Sequence, residues 1–316
     1  MPVDVVGIGF AAMDIVLNTE DLPREDGFSF IYGEHLLPGG SCANAMVAVA
    51  RLGGSAGLIA KMGDDHYGRT FIRDLRQAGV RSNFVLTKPG GTSLHNFIAV
   101  TGNGAKAMFS HLGDSLLSLS EDEVRADMLH GAKVFYNEMV PAKPALKLAR
   151  SCKDLGIPIV FNLQVGPGFM ELCGVSRTEL SEMLAVCDLF ITNQHFILEL
   201  SGKDDCIEAV AHTYAIYHPS MGIIATRGEK GSLFFNDNEM LVVPGLTIRA
   251  VDTTGAGDSF SAGLIQARFI KRLGIRESME FATGCAALKC TQHGPRLNAH
   301  EADIHCFMEG FRKQPQ

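Results

Sequence analysis

Hydrophobic positions along the chain alternate between two rhythms. Short apolar runs occur at residues 3–8, 57–62, 134–136, 157–163, 189–192 and 221–226. Runs of that length, bounded by glycine and polar residues, predict buried strands. Between them apolar residues recur at helical spacing. Residues 66–78 place Phe71, Ile72 and Leu75 on one face and stop at Gly79. The alanine-rich stretch 41–52 predicts a helix capped by Ser41 and stopped by Gly53 and Gly54. Further helices are predicted over 143–154, 205–217, 258–272 and 275–291, with a last one beginning near Asn298. Ser120-Glu121-Asp122-Glu123 has the form of a capping box and predicts another helix start. Residues 233–235 and 240–243 predict a hairpin.

Strand–helix alternation of this kind implies a mostly parallel sheet with helices on both faces. Ligands of such sheets bind beyond the carboxyl ends of the strands. Two passages break the alternation. Residues 14–38 are polar and turn-rich. Residues 80–112 carry Val85, Leu94, Phe97, Ile98 and Val100, punctuated by Gly90-Gly91 and Gly102-Asn103-Gly104. Both read as β structure and predict a small accessory sheet.

Composition narrows the function. Apolar residues make up 46%, enough to fill a core, so disorder is excluded. With 28 Lys+Arg against 35 Asp+Glu the net charge is −7, which argues against a nucleic-acid footprint. The apolar stretch 209–226 is broken by His212, His218 and Pro219, so no membrane span is expected. No basic segment precedes an apolar run at the start, and a cytoplasmic protein is expected. The eight cysteines are scattered with no C-x-x-C pair, which predicts reduced core thiols and no zinc site. The 34 glycines are in excess and point to many tight turns or close backbone approaches.

Four motifs carry candidate chemistry. Gly7-Ile-Gly9-Phe-Ala-Ala12 follows a strand and matches a dinucleotide fingerprint. That chemistry requires a helix directly afterwards. The continuation Met13-Asp14-Ile15-Val16-Leu17-Asn18 patterns as strand, so the match is read as a tight strand exit that sets Asp14 near a cleft. Pro38-Gly39-Gly40-Ser41-Cys42-Ala43-Asn44 puts two glycines before a helix start, where a polyhydroxylated ligand can approach the backbone and Asn44 can donate and accept. Thr226-Arg227-Gly228-Glu229-Lys230-Gly231 follows a strand with small residues across which a nucleotide can lie. Asp252-Thr253-Thr254-Gly255-Ala256-Gly257-Asp258 is the strongest. Its glycines open a helix whose free N–H groups form an anion hole for phosphoryl oxygens. A carboxylate at Asp258 beside that hole makes sense as the base that takes a proton from an attacking hydroxyl.

Together these motifs resemble the ribokinase-like (PfkB) family of carbohydrate and nucleoside kinases, over essentially the whole length. The resemblance rests on Gly39-Gly40 with Asn44, Gly63-Asp64-Asp65 with Gly68, Thr226 with Gly228 and Gly231, and residues 252–258. No P-loop motif is present. The resemblance implies one α/β/α domain over 1–316, with a lid formed by about 14–38 and 88–112. It implies Asp258 as catalytic base and Gly255, Ala256 and Gly257 as anion hole. It implies Asp14, Gly39, Gly40 and Asn44 as substrate residues, and Asn193, Thr226, Gly228 and Gly231 as nucleotide residues. ATP and Mg²⁺ are the implied cofactors. K⁺ is a further candidate, with Asp252 placed to serve a monovalent cation. A homodimer paired through the lids is also implied.

Two positions depart from the family pattern. Phe196 stands where N-x-x-E would place an acid after Asn193, with Glu199 nearby, and Asn162-Leu163-Gln164 lacks an acid common on that strand end. The expected activity is ATP-dependent phosphorylation of a primary hydroxyl on a small sugar. A nucleoside kinase is the alternative, for which Phe28, Phe30, Phe97 and Phe109 could stack on a base. A phosphorylated sugar would call on Lys88 and Lys106. A catalytically silent sugar- or nucleoside-binding homologue is the alternative from another class, motivated by Phe196.

Overall fold

The computed structural model describes residues 2–312. The chain enters the core at β1 (Val5–Ile8) and runs directly into β2 (Ala12–Thr19), then returns along β3 (Ile31–Gly39) to α1 (Ser41–Arg51). Next come β4 (Ala56–Gly63), α2 (His66–Gln77), β5 (Val85–Lys88), β6 (His95–Thr101) and β7 (Lys106–His111). The middle of the chain alternates as β8 (Val134–Asn137), α3 (Ala142–Leu155), β9 (Ile159–Leu163), α4 (Pro167–Leu172), α5 (Arg177–Val186), β10 (Leu189–Asn193), α6 (Gln194–Ser201), α7 (Cys206–Tyr217) and β11 (Gly222–Thr226). The hairpin of β12 (Ser232–Phe235) and β13 (Met240–Val243) leads to α8 (Ala256–Ile265), α9 (Ile275–Cys290) and α10 (Glu301–Arg312).

Nine strands form one sheet in the order β13-β12-β11-β10-β9-β8-β1-β4-β5. Pairing is parallel from β11 to β5, and the β12–β13 hairpin adds an antiparallel edge. The central strands β1, β8 and β9 are buried at every residue, as expected when helices cover both faces. Phe161 and Phe190 stack at 5.3 Å between neighbouring strands. The two irregular passages pair with each other only in part: β2, β3, β6 and β7 form a four-stranded sheet β3-β2-β6-β7, whereas β5, which carries Val85, joins the edge of the nine-stranded sheet instead. Six cysteines are buried, Cys290 is half-buried and Cys306 exposed, and all eight are free thiols.

Three local expectations need correction. Ser41 does not cap α1. Gly40 holds that position with φ +88°, and the Ser41 hydroxyl donates to Glu138 Oε2 at 2.8 Å. The Ser120 capping box forms, but it opens only a single turn, Glu121–Glu123, because Glu123 is also drawn to Lys61 Nζ at 2.6 Å. The helix expected over 258–272 starts earlier, at Ala256. Its final turn widens so that Lys271 N–H reaches the Gln266 carbonyl at 2.9 Å, while the Gln266 amide turns inward to the Leu52 carbonyl at 2.9 Å.

Candidate functional site

The site lies beyond the carboxyl ends of the parallel strands, where α8 begins. Gly255 starts that helix with φ +77°, and a Cβ there would lie 1.8 Å from the Pro295 carbonyl oxygen. Only glycine fits. The first bond of regular helical spacing runs from Ser259 N–H to the Gly255 carbonyl at 2.9 Å. The N–H groups before it have no carbonyl one turn back and face out of the helix start. Ala256 is an exception: its N–H donates to the Thr253 carbonyl at 3.2 Å. Of the three residues 255–257 expected to form the anion hole, Ala256 therefore already has an internal acceptor.

Asp258 follows one turn in, and only 7% of it is exposed. Its Oδ2 accepts from the Asn44 amide at 2.9 Å and its Oδ1 from the Gln164 amide at 3.3 Å. Burial raises its pKa to about 7, reinforced by the charge of Asp14 and opposed by those two amides and by Lys289. Gln164 occupies the strand end where an acid was expected. An acid there would face Asp258 directly and repel it.

Asn44 is already engaged on both sides of its amide. It donates to Asp258 and accepts at Oδ1 from Arg296 Nε at 3.2 Å. Arg296 also pairs with Asp74. Asp14 lies on β2 with its Oδ1 accepting from Asn96 at 2.7 Å. Burial raises its pKa, partly offset by Asn96 and by the charge of Arg296. The two glycines before α1 have internal reasons. A Cβ on Gly39 would lie 2.3 Å from Asp14 Oδ2, and one on Gly40 would lie 2.6 Å from the Phe10 carbonyl oxygen. The close approach inferred at this pair is thus chain against chain.

Sequence reading missed Glu138, at the end of β8. It is buried and accepts from Phe10 N–H at 2.9 Å, the Ser41 hydroxyl at 2.8 Å and the Tyr136 hydroxyl at 3.0 Å. Burial lifts its pKa to about 8, with the charge of Asp258 adding to the shift. A lone glutamate at a strand end gives no periodic or motif signal. An indirect one was Gly9, where a Cβ would lie 2.5 Å from Glu138 Oε2. Gly9 serves that contact, and the strand β2 that follows removes the dinucleotide reading.

A cavity of about 740 Å³ opens beside the start of α8, lined by Thr226, Gly228, Gly245, Thr253, Ala256 and Gly257. That size suits a nucleotide-sized ligand. A second cavity of about 510 Å³ adjoins it through Thr226 and Gly228 and reaches Asn193, Gln194 and His195. Asn193 caps α6, accepting from Phe196 N–H at 2.9 Å. Gly231 also lines the first cavity, but its Cβ direction is closed, since a Cβ there would lie 2.0 Å from the Val243 carbonyl oxygen. At Gly228 and Gly257 a Cβ would meet nothing within 4 Å. Glu199 does not replace the missing acid in either cavity. It faces the start of α4, where Gly168 N–H donates to it at 3.4 Å. Among the described residues no group of three His, Cys, Asp or Glu side chains could hold a metal ion.

The four-stranded sheet stands over this site. Asp14 and Asn96 are register partners and share a face, and Lys106, paired with Val100, lies on that face too. Lys106 Nζ reaches Thr254 Oγ1 at 3.5 Å. Lys88 is turned away, paired with Asp114 at 2.9 Å. Phe97 and Phe109 pair with each other on the opposite face.

The comparisons agree with this architecture. The chain is 28% identical to the probable chloroplastic fructokinase-6 of Arabidopsis thaliana, over 94% of this chain and 80% of the relative. It is 28% identical to the ATP-dependent ribose-1-phosphate kinase of Halopiger xanaduensis, over 93% of this chain and 94% of the relative. In fold it is similar to a putative ribokinase from Agrobacterium tumefaciens, with TM-score 0.87, 20% identity and full coverage of both chains. It is likewise similar to the adenosine kinase of Sinorhizobium meliloti, with TM-score 0.80, 24% identity and coverage of 97% and 99%. The pfkB family carbohydrate kinase pattern matches residues 3–302, and with the α8 start, its buried carboxylate and the adjoining cavity at the strand ends, it establishes that the chain belongs to that family.

Proposed function

We propose that this protein transfers the γ-phosphoryl group of ATP to a primary hydroxyl of a small neutral sugar. The observation that carries this reading is Asp258. It is a buried carboxylate at the mouth of the α8 start, held by two amide donors and tuned close to neutrality. Such a group takes a proton from a hydroxyl most effectively near neutral pH.

The chain's own residues divide the work. Asn44 and Gln164 fix the direction of the Asp258 carboxylate. Asp14, backed by Asn96, offers Oδ2 to a sugar hydroxyl on the face of the small sheet that looks into the site. The N–H groups of Gly255 and Gly257 stabilise the charge that develops on the phosphoryl oxygens. Thr226 and Gly228 shape the nucleotide cavity. ATP supplies the phosphoryl group, and Mg²⁺ neutralises its charge. With no carboxylate cluster among the described residues, the ion would be held largely by phosphates and water. The small sheet acts as a lid that excludes water from the reaction.

The substrate class follows from the lid. Phe97 and Phe109 lie on the face away from Asp14, so they cannot stack on a base held there. That removes two of the four candidate rings for a base, and the fructokinase and ribose-1-phosphate kinase relatives favour a sugar. With Lys88 paired to Asp114, Lys106 is the lid lysine that faces the site, and its reach is toward Thr254. ADP release measured across a panel of free sugars, sugar phosphates and nucleosides tests the assignment. A free ketose or aldose should give the highest kcat/KM. Asp258→Asn should lower kcat by roughly 10²–10⁴. A loss of less than about tenfold would remove Asp258 from the role of base.

A further inference from the structure

The family resemblance offers Asp252 as a monovalent-cation residue, but each of its oxygens already accepts a hydrogen bond, one of them from an ammonium. Thr254 N–H donates to Asp252 Oδ1 at 2.9 Å and Gly294 N–H to Oδ2 at 3.0 Å. The Asp252 carbonyl accepts from the ammonium of Lys289 at 2.8 Å. The same ammonium donates to the Gln292 carbonyl at 3.3 Å. The residues present therefore do not fit an added cation at Asp252. A cation of the protein's own is already there.

Lys289 is fully buried in the last turn of α9. Lysine is almost never fully buried without compensation, and a leucine or methionine would fill the same volume at less cost. Two features compensate the charge. The carbonyl end of α9 is the negative end of the helix dipole, and the Asp252 carboxylate lies close by. Its position matters for the site. Val251 and Asp252 N–H both donate to the Cys290 carbonyl, at 2.8 Å and 3.2 Å, so the end of α9 is tied to the irregular segment that leads into residues 252–257. Carbonyl oxygens are also what coordinate a potassium ion.

We propose that the Lys289 ammonium is a built-in substitute for a monovalent metal cation, bracing the Asp252 and Gln292 carbonyls behind the anion hole. Activity then needs no K⁺ or Na⁺. The inference rests on the phosphoryl-transfer reading for its consequence, but nucleotide binding tests it without a sugar. ADP with Mg²⁺ is titrated by calorimetry in N-methylglucamine chloride and in KCl at equal ionic strength. Wild-type affinity should differ by less than about twofold between the two salts. Lys289→Ala should bind roughly tenfold or more weakly in N-methylglucamine and recover in KCl or NH₄Cl. Lys289→Met fills the volume without charge and should stay weak in every salt. Turnover with whichever sugar is accepted should follow the same pattern.

A wild type whose affinity or turnover rises by about tenfold or more on adding K⁺ overturns the proposal. So does a folded Lys289→Ala that keeps wild-type affinity in N-methylglucamine, or one that loses it and is not rescued, which would make Lys289 a structural tie only. If neither variant folds, the wild-type salt comparison decides alone. Salt-independent nucleotide binding with no sugar phosphorylated would remove the proposed substrate class and leave this inference standing.

Discussion

At the scale of single residues the site is a set of buried carboxylates held in different states by their neighbours. Asp258 and Glu138 are both pushed up by burial; the charge of Asp258 raises Glu138 further, and that of Asp14 raises Asp258. What makes Asp258 the usable base is its amide donors, which favour the charged form. A base must be deprotonated to act. The rate should therefore fall as pH drops below about 7, the value that burial gives Asp258. Asn44 donates to the carboxylate and lowers its pKa, so Asn44→Ala should move this acidic limb to higher pH. A kcat/KM profile measured from pH 5.5 to 9 checks both statements. A limb that stays in place in Asn44→Ala would mean that the group titrating is not Asp258. Much of this was not legible in the sequence. Asp258 announces itself by the glycines before it, but Arg296 and Glu138 reach the site from distant segments and sit in no motif.

Elements explain why the glycine excess misled in part. Sequence reading treated paired glycines as openings for ligand. The structure separates two kinds. Gly39, Gly40, Gly231 and Gly255 are pressed against the chain itself, whereas Gly228 and Gly257 face open space in the nucleotide cavity. A sequence shows the residue type and not what lies 2 Å from a missing Cβ. The distinction predicts opposite outcomes within one turn of α8. Gly255→Ala meets both the Pro295 carbonyl and a left-handed backbone, so it should destabilise the protein by about 1–3 kcal/mol or more. Gly257→Ala should fold as the wild type does but weaken ATP binding, because its methyl group projects into the cavity. Thermal melting sorts the first effect and the ATP KM the second. Equal melting temperatures for the two variants would contradict this division. Most strands and several helices, by contrast, were legible, since periodicity is local, whereas the starts of α1 and α8 were not. The widened last turn after α8 was not, because it depends on the Gln266 amide reaching Leu52.

For the whole molecule, the remaining question is what covers the small sheet. The two irregular passages were recognised as β structure because they broke the alternation, but their outer surface could not be foreseen. Phe28, Phe30, Ile31 and Tyr32 at the β3 end are exposed, and so is Phe109 on the opposite edge strand β7. Phe28 and Phe30 meet edge to face at 5.7 Å, so the rings are already arranged as a cluster. A protein rarely leaves large apolar side chains exposed at both edges of one small sheet without a partner. A second copy of the chain is the partner that the family resemblance implies, and its lid would offer the same self-complementary patch. We expect a dimer by light scattering at micromolar concentration. Phe30→Ser with Phe109→Ser should give a monomer with unchanged thermal stability of the nine-stranded core. Turnover should fall at the same time, because a lid without its counterpart closes less often over Asp14 and Asp258. A wild type that is monomeric and fully active would leave these rings without a role in assembly.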